Sequence, residues 1–92
     1  MSLLSNAEIQ ESISNLDGWE YADGSIKKTF SFDTYMDSIS FINLLAKKAE
    51  LANHHPDMHV GWCKINITFT SHDQGGVTAA CIKMAKQTDR II

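Results

Sequence analysis

The sequence predicts an α+β fold in which an antiparallel four-stranded sheet carries three helices packed on one face, in the order α-β-β-α-β-β-α. Three observations lead there. Apolar residues recur at helical spacing in three separate stretches, strict alternation marks the segments between them, and Asp23-Gly24 sits between two short runs as a hairpin turn does. Residues 1–92 are expected to form one domain, because no linker, repeat or low-complexity tract divides them.

Each element has its own signal. Ser5-Asn6-Ala7-Glu8 is a capping-box pattern that opens a helix, Ile9, Ile13 and Leu16 fall on one face of it, and Asp17-Gly18 supplies the stop. Trp19-Glu20-Tyr21-Ala22 and the alternation of Ile26, Lys28, Phe30 and Phe32 read as two strands around Asp23-Gly24. Asp33 or Thr34 caps a second helix, with Asp37 in its first turn; Ile39, Ile42, Leu45 or Ala46, Ala49 and Ala52 form its apolar stripe. That helix is expected to run to about Asn53, ahead of Pro56. From Met58 to Thr70 the pattern is strand-like, Cys63, Ile65, Ile67 and Phe69 alternating with polar residues, and Gly61 marks a bend or turn. Ser71 to Gly76 is a loop by composition, after which Thr78 caps a last helix whose apolar face includes Ile82 and Ala85.

Composition narrows the function. At 43 % hydrophobic and 21 % charged, the chain is too apolar to stay disordered. A net charge of −3 with eight scattered basic residues offers no footprint for a phosphate backbone, so direct nucleic-acid binding is not expected. Cys63 and Cys81 are too few for a secreted disulfide framework and lack metal-site spacing; reduced thiols in a cytoplasmic protein fit best. The start of the chain has no basic region followed by an apolar run, and no later stretch approaches a bilayer span, so neither targeting nor membrane insertion is expected.

The four histidines, His54, His55, His59 and His72, crowd into one part of the chain, two of them at a helix end and His72 in a glycine-flanked loop. One reading is that they are surface residues, with His54-His55 complementing the helix dipole. A metal site built on His55 and His59 is disfavoured, because Pro56 interrupts the continuous helix that their spacing would need. The remaining reading is general acid–base catalysis: imidazole titrates near neutral pH, and adjacent histidines repel as cations, so one can stay neutral while another is protonated.

Glu50-x-x-x-His54-His55-Pro56, then Trp62, then Thr70-Ser71-His72-x-x-x-Gly76-Val77-Thr78, resembles the signature of the pterin-4a-carbinolamine dehydratases, and Gly18-Trp19 with the hairpin and helix upstream extends the resemblance over nearly the whole chain. It implies a dehydratase that converts 4a-hydroxytetrahydropterin to quinonoid dihydropterin and water, in tetrahydrobiopterin recycling, with no metal or other cofactor. It implies that His54, His55 and His72 line the pocket, His54 and His72 for proton transfer and His55 for binding and orientation. Glu50 would orient His54 or raise its pKa, Trp19 would flank the pterin, and Pro56, Ser71, Asp73 and Gln74 would complete the substrate site, while Trp62 would pack. Each has a plainer alternative: a surface glutamate, a core tryptophan, a polar loop.

The chain departs from the family at Cys81, where an aspartate is common. The thiol either packs or takes on thiolate character in the field of the helix end. Two rival functions follow from the resemblance: a partner-binding module, since animal members also act as dimerisation partners of a homeodomain transcription factor, and a non-catalytic pterin-binding protein. A homodimer or homotetramer is expected either way.

Overall fold

The computed structural model describes residues 2–92, and these form the predicted order of three helices and four strands. The first helix, α1 (Asn6–Ser14), opens on the capping box: Glu8 N–H donates to Ser5 Oγ (3.1 Å) and Ser5 N–H donates to the Glu8 carboxylate (2.8 Å). It ends earlier than the glycine suggests, in a tight turn where Leu16 N–H reaches the Ile13 carbonyl (2.9 Å). Gly18, at φ +85°, instead turns the chain into the sheet beside the Lys28 side chain. Asp23 (φ 52°) and Gly24 (φ 75°) are both left-handed, as a two-residue hairpin turn requires, and join β1 (Glu20–Ala22) to β2 (Ser25–Ser31).

Helix α2 (Tyr35–Ala52) starts on Thr34, whose hydroxyl accepts from Asp37 N–H (3.0 Å). Its buried stripe is Ser38, Phe41, Leu45 and Ala49; Ala46 and Ala52 are exposed and Ile39 and Ile42 only half-buried, a rotation of about one residue from the predicted face. The cause is tertiary, because the Phe41 ring seats between Phe30 (5.0 Å) and Phe32 (5.1 Å). After β3 (Asp57–Gly61) the chain turns through Trp62-Cys63, with Cys63 left-handed at φ 58°, into β4 (Lys64–Phe69). Trp62, expected to pack, stands 79 % exposed at that turn.

The sheet order is β1-β2-β4-β3, antiparallel throughout. Ile26, Ile65, Ile67 and Phe69 are fully buried toward the helices, each contributing roughly 1.5–3 kcal/mol of hydrophobic stabilisation. Helix α3 (Ala79–Asp89) adds Cys81, Ile82, Met84 and Ala85 to that core. Thr78 occupies the position before its first turn, yet its hydroxyl caps nothing; it is drawn instead to the Ser71 hydroxyl at 2.7 Å. At the other end of α3, Asp89 accepts from the Trp19 indole N–H (3.0 Å) and the Lys28 ammonium (2.9 Å), tying α3 to the first hairpin. Cys63 and Cys81 are both free thiols and both buried.

Candidate functional site

The site begins where α2 stops. Asn53 takes the left-handed conformation (φ 50°), and His54 N–H bonds back to the Ala49 carbonyl (3.1 Å), so the helix closes one residue before the two histidines. The reversal separates them. His54 turns inward, its ring stacked on Phe69 at 6.0 Å and 15°, with Nε2 3.4 Å from the buried Cys81 Sγ. His55 stays outside, and Pro56 holds the chain extended as it enters β3.

The opposite wall is the loop after β4. Ser71 N–H donates to the Gly76 carbonyl (2.8 Å), while the Ser71 carbonyl accepts from Gln74 and Gly75, and Gly75 is left-handed at φ 76°. The closed loop carries His72 and Asp73 at its front, with His72 Nε2 3.4 Å from an Asp57 oxygen. Between the walls lies a cleft of about 330 Å³ lined by His54, His55, Pro56, Asp57, His72 and Asp73, among others. A recess of about 200 Å³ continues it past His54 and Asp73 to Gln74 and Ala80.

The electrostatics single out His54. Burial disfavours its charged form and lowers its pKa from the ordinary value of 6.5; the Asp73 carboxylate opposes that shift, and repulsion from His55 and His72 adds to it. The ring is therefore neutral near pH 7.

Several expected site residues lie elsewhere or act otherwise. Glu50 pairs with His55 rather than with His54, because the left-handed Asn53 breaks the helical phase that would stack Glu50 against His54. Trp19 is 5 % exposed, enclosed by Phe30 and Phe69 with its N–H on Asp89, and does not line the cleft. The Ser71 hydroxyl points inward to Thr78, so this residue shapes the loop from beneath. Asp57 and Cys81 were not expected to line the site; the aspartate immediately after Pro56 was a readable signal for the first, and the aspartate common at position 81 in the resembled family was one for the second, whose contact with His54 spans 27 positions.

A larger depression, about 600 Å³, opens on the uncovered face of the sheet among Lys27, Thr29, Asn66, Thr68 and His59. It holds one histidine and no grouped carboxylates, so the smaller cleft is the better candidate on chemistry. Among the described residues, no three His, Cys, Asp or Glu side chains are grouped to hold a metal ion, and no helix is long and apolar enough to cross a membrane.

Comparison with known proteins shows the family and agrees with the fold. The family model for pterin 4 alpha carbinolamine dehydratase matches residues 2–91. A protein of Thermosynechococcus vestitus, provisionally named a pterin-4-alpha-carbinolamine dehydratase, is 40% identical over 90% of this chain and 87% of its own. A Roseiflexus castenholzii protein with the same provisional name is 38% identical over 99% and 98%. Among solved structures, a transcriptional coactivator/pterin dehydratase from Brucella melitensis superposes with a TM-score of 0.94 at 30% identity, covering 98% of both chains. A pterin dehydratase-like RuBisCO assembly factor of the alpha-carboxysome shares the fold at a TM-score of 0.69 and 23% identity, over 83% of this chain and 90% of that one.

Proposed function

We propose that this chain, which belongs to the pterin-4a-carbinolamine dehydratase family, removes water from a 4a-hydroxytetrahydropterin to give the quinonoid dihydropterin, as a step in tetrahydrobiopterin recycling. The observation that carries the reading is the convergence of His54, His55, His72, Asp57 and Asp73 on one open cleft. Its volume of about 330 Å³ lies at the small end of the range for small-molecule sites, in keeping with a bicyclic ring and a solvent-exposed side chain.

The reaction is redox-neutral. The C4a–O bond breaks, the departing hydroxyl takes a proton and leaves as water, and the N5 proton is lost to a base. An acid and a base must therefore reach neighbouring edges of one ring. His54 and His72 stand on opposite walls of the cleft and are assigned the two transfers. His72 Nε2 lies 3.4 Å from an Asp57 oxygen, an exposed contact that contributes little by itself. His55, held by Glu50, orients the substrate with Pro56 and Asp73, and Gln74 extends the site into the recess. No step calls for a metal or an electron carrier. The two free thiols fit a cytoplasmic setting.

The direct test follows the decay of freshly generated 4a-hydroxytetrahydropterin by ultraviolet absorbance, with and without chelator-treated protein. Acceleration is the expected result. Folded protein that leaves the spontaneous rate unchanged would sink the dehydratase reading.

A second reading, a partner-binding module, is favoured by the exposed apolar side chains of Met36 (67 %) and Leu51 (90 %) on α2 and of Trp62, all outside the cleft lining. These also suit a homodimer or homotetramer. Replacing both His54 and His72 separates the readings, since catalysis should vanish while the sedimentation behaviour stays unchanged.

A further inference from the structure

We infer that Cys81 is a positioning residue for His54: its buried thiol, braced by the Ser71–Thr78 hydroxyl pair, donates to His54 Nε2 and fixes the imidazole as the tautomer with its proton on Nδ1. The contact is specific. Cys81 is fully buried on the first turn of α3, its sulfur lies 3.4 Å from Nε2, and the same sulfur lies 3.6 Å from Ser71 Oγ and 3.9 Å from Thr78 Oγ1. The two hydroxyls are 2.7 Å apart, Thr78 fully buried and Ser71 nearly so.

Counting protons decides the direction of the chain. One hydroxyl proton occupies the short bond between Ser71 and Thr78, and the other has only the sulfur beside it as acceptor in this network. With the sulfur accepting there, its own proton is directed at Nε2. The reverse arrangement, with Nε2–H donating to sulfur and S–H donating to a hydroxyl, asks the sulfur, a weak acceptor, to take both the imidazole proton and a hydroxyl proton, which is the costlier state.

Two consequences follow. Adding a proton to His54 would place Nε2–H against S–H, two donors facing each other, so the thiol opposes the imidazolium in the same sense as burial does. The other titratable groups near this ring are Asp73 and His72 of the loop and His55 of the helix end; only Asp73 favours the cation. Nδ1 is then the nitrogen open to a molecule in the cleft, and it presents N–H. On the dehydratase reading, from which this consequence for turnover derives, His54 gives its Nδ1 proton to the leaving hydroxyl and regains one from solvent, while His72 takes the N5 proton.

The test is nitrogen-15 spectroscopy of the histidine rings in the intact, uniformly labelled protein, with His54 assigned by comparison with His54→Gln. The expected spectrum at pH 7.5 has a protonated Nδ1 and an unprotonated Nε2 for His54; a protonated Nε2 overturns the inference without any need of a variant at Cys81. In Cys81→Asp the new carboxylate can only accept, so the proton should move to Nε2 and the His54 midpoint, followed through the same nitrogen-15 shifts, should rise by about one pH unit or more. An unchanged midpoint in a variant with a native-like amide spectrum would also overturn it. Should the aspartate prevent folding, Cys81→Ala serves instead, and must lose the Nδ1–H preference. A protein with the expected tautomer that fails to accelerate dehydration removes the dehydratase reading alone and upholds the Cys81–His54 arrangement.

Discussion

The two walls of the cleft are built differently. The His54 wall is anchored in the core: the ring lies on Phe69, touches the buried Cys81, and follows a helix end closed by Asn53. The His72 wall is a solvent-facing loop whose order comes from backbone hydrogen bonds to Ser71, with the His72 side chain 68% exposed. The contrast shows how one small fold can hold two chemically identical side chains in different surroundings. Burial disfavours charge on the first, whereas the second stands in water 3.4 Å from an Asp57 oxygen.

The largest expected effect comes from removing the anchored ring. His54→Ala should lower turnover by about 10²- to 10⁴-fold, the usual contribution of a positioned acid or base, measured in single-turnover decay of the hydroxypterin. A loss under tenfold in folded protein would dissolve the distinction between the walls.

His72→Ala should cost at least about tenfold in turnover while leaving the melting temperature unchanged, because its exposed side chain buries little. A melting temperature that falls along with turnover would show that the loop depends on this side chain for its order.

The pH dependence of stability sharpens the comparison further. The unfolded chain protonates His54 as pH falls through about 6.5, whereas the folded protein resists until its lowered pKa is reached. The unfolded state therefore binds more protons in that window, and stability falls there as pH drops; above it, His54 contributes no slope. His54→Asn should flatten this part of a melting-temperature profile.

The smallest effect is expected on the uncovered face of the sheet. His59→Ala, on an edge strand beside the larger depression, should change stability by less than about 0.5 kcal/mol and leave turnover as it was. A clear loss of activity would move attention from the cleft to that face.

Much of this was legible in the sequence, and the reason is local. The Ser5–Glu8 capping box, the Asp23-Gly24 turn and the Ile65, Ile67, Phe69 alternation each depend on residues close in the chain, so period and turn chemistry suffice to read them. The His54-His55-Pro56 and His72 spacings marked the residues that the fold gathers into the cleft. The rotation of α2 was not legible, because Phe41 takes its place from Phe30 and Phe32 on another element. The role of Glu50 was misplaced for a subtler reason: helical spacing pointed to His54, but a single left-handed residue at Asn53 handed the contact to His55.

By itself, then, the sequence determined the order of elements, the antiparallel sheet with its covering helices, and the set of histidines available for chemistry. Only the tertiary structure decided which histidine turns inward, that Trp19 serves the core and Asp89, and that a thiol on α3 meets His54 across 27 positions. Periodicity and capping are set by neighbours in the chain, whereas the partner and charge state of a side chain are set by whatever the packed core brings against it.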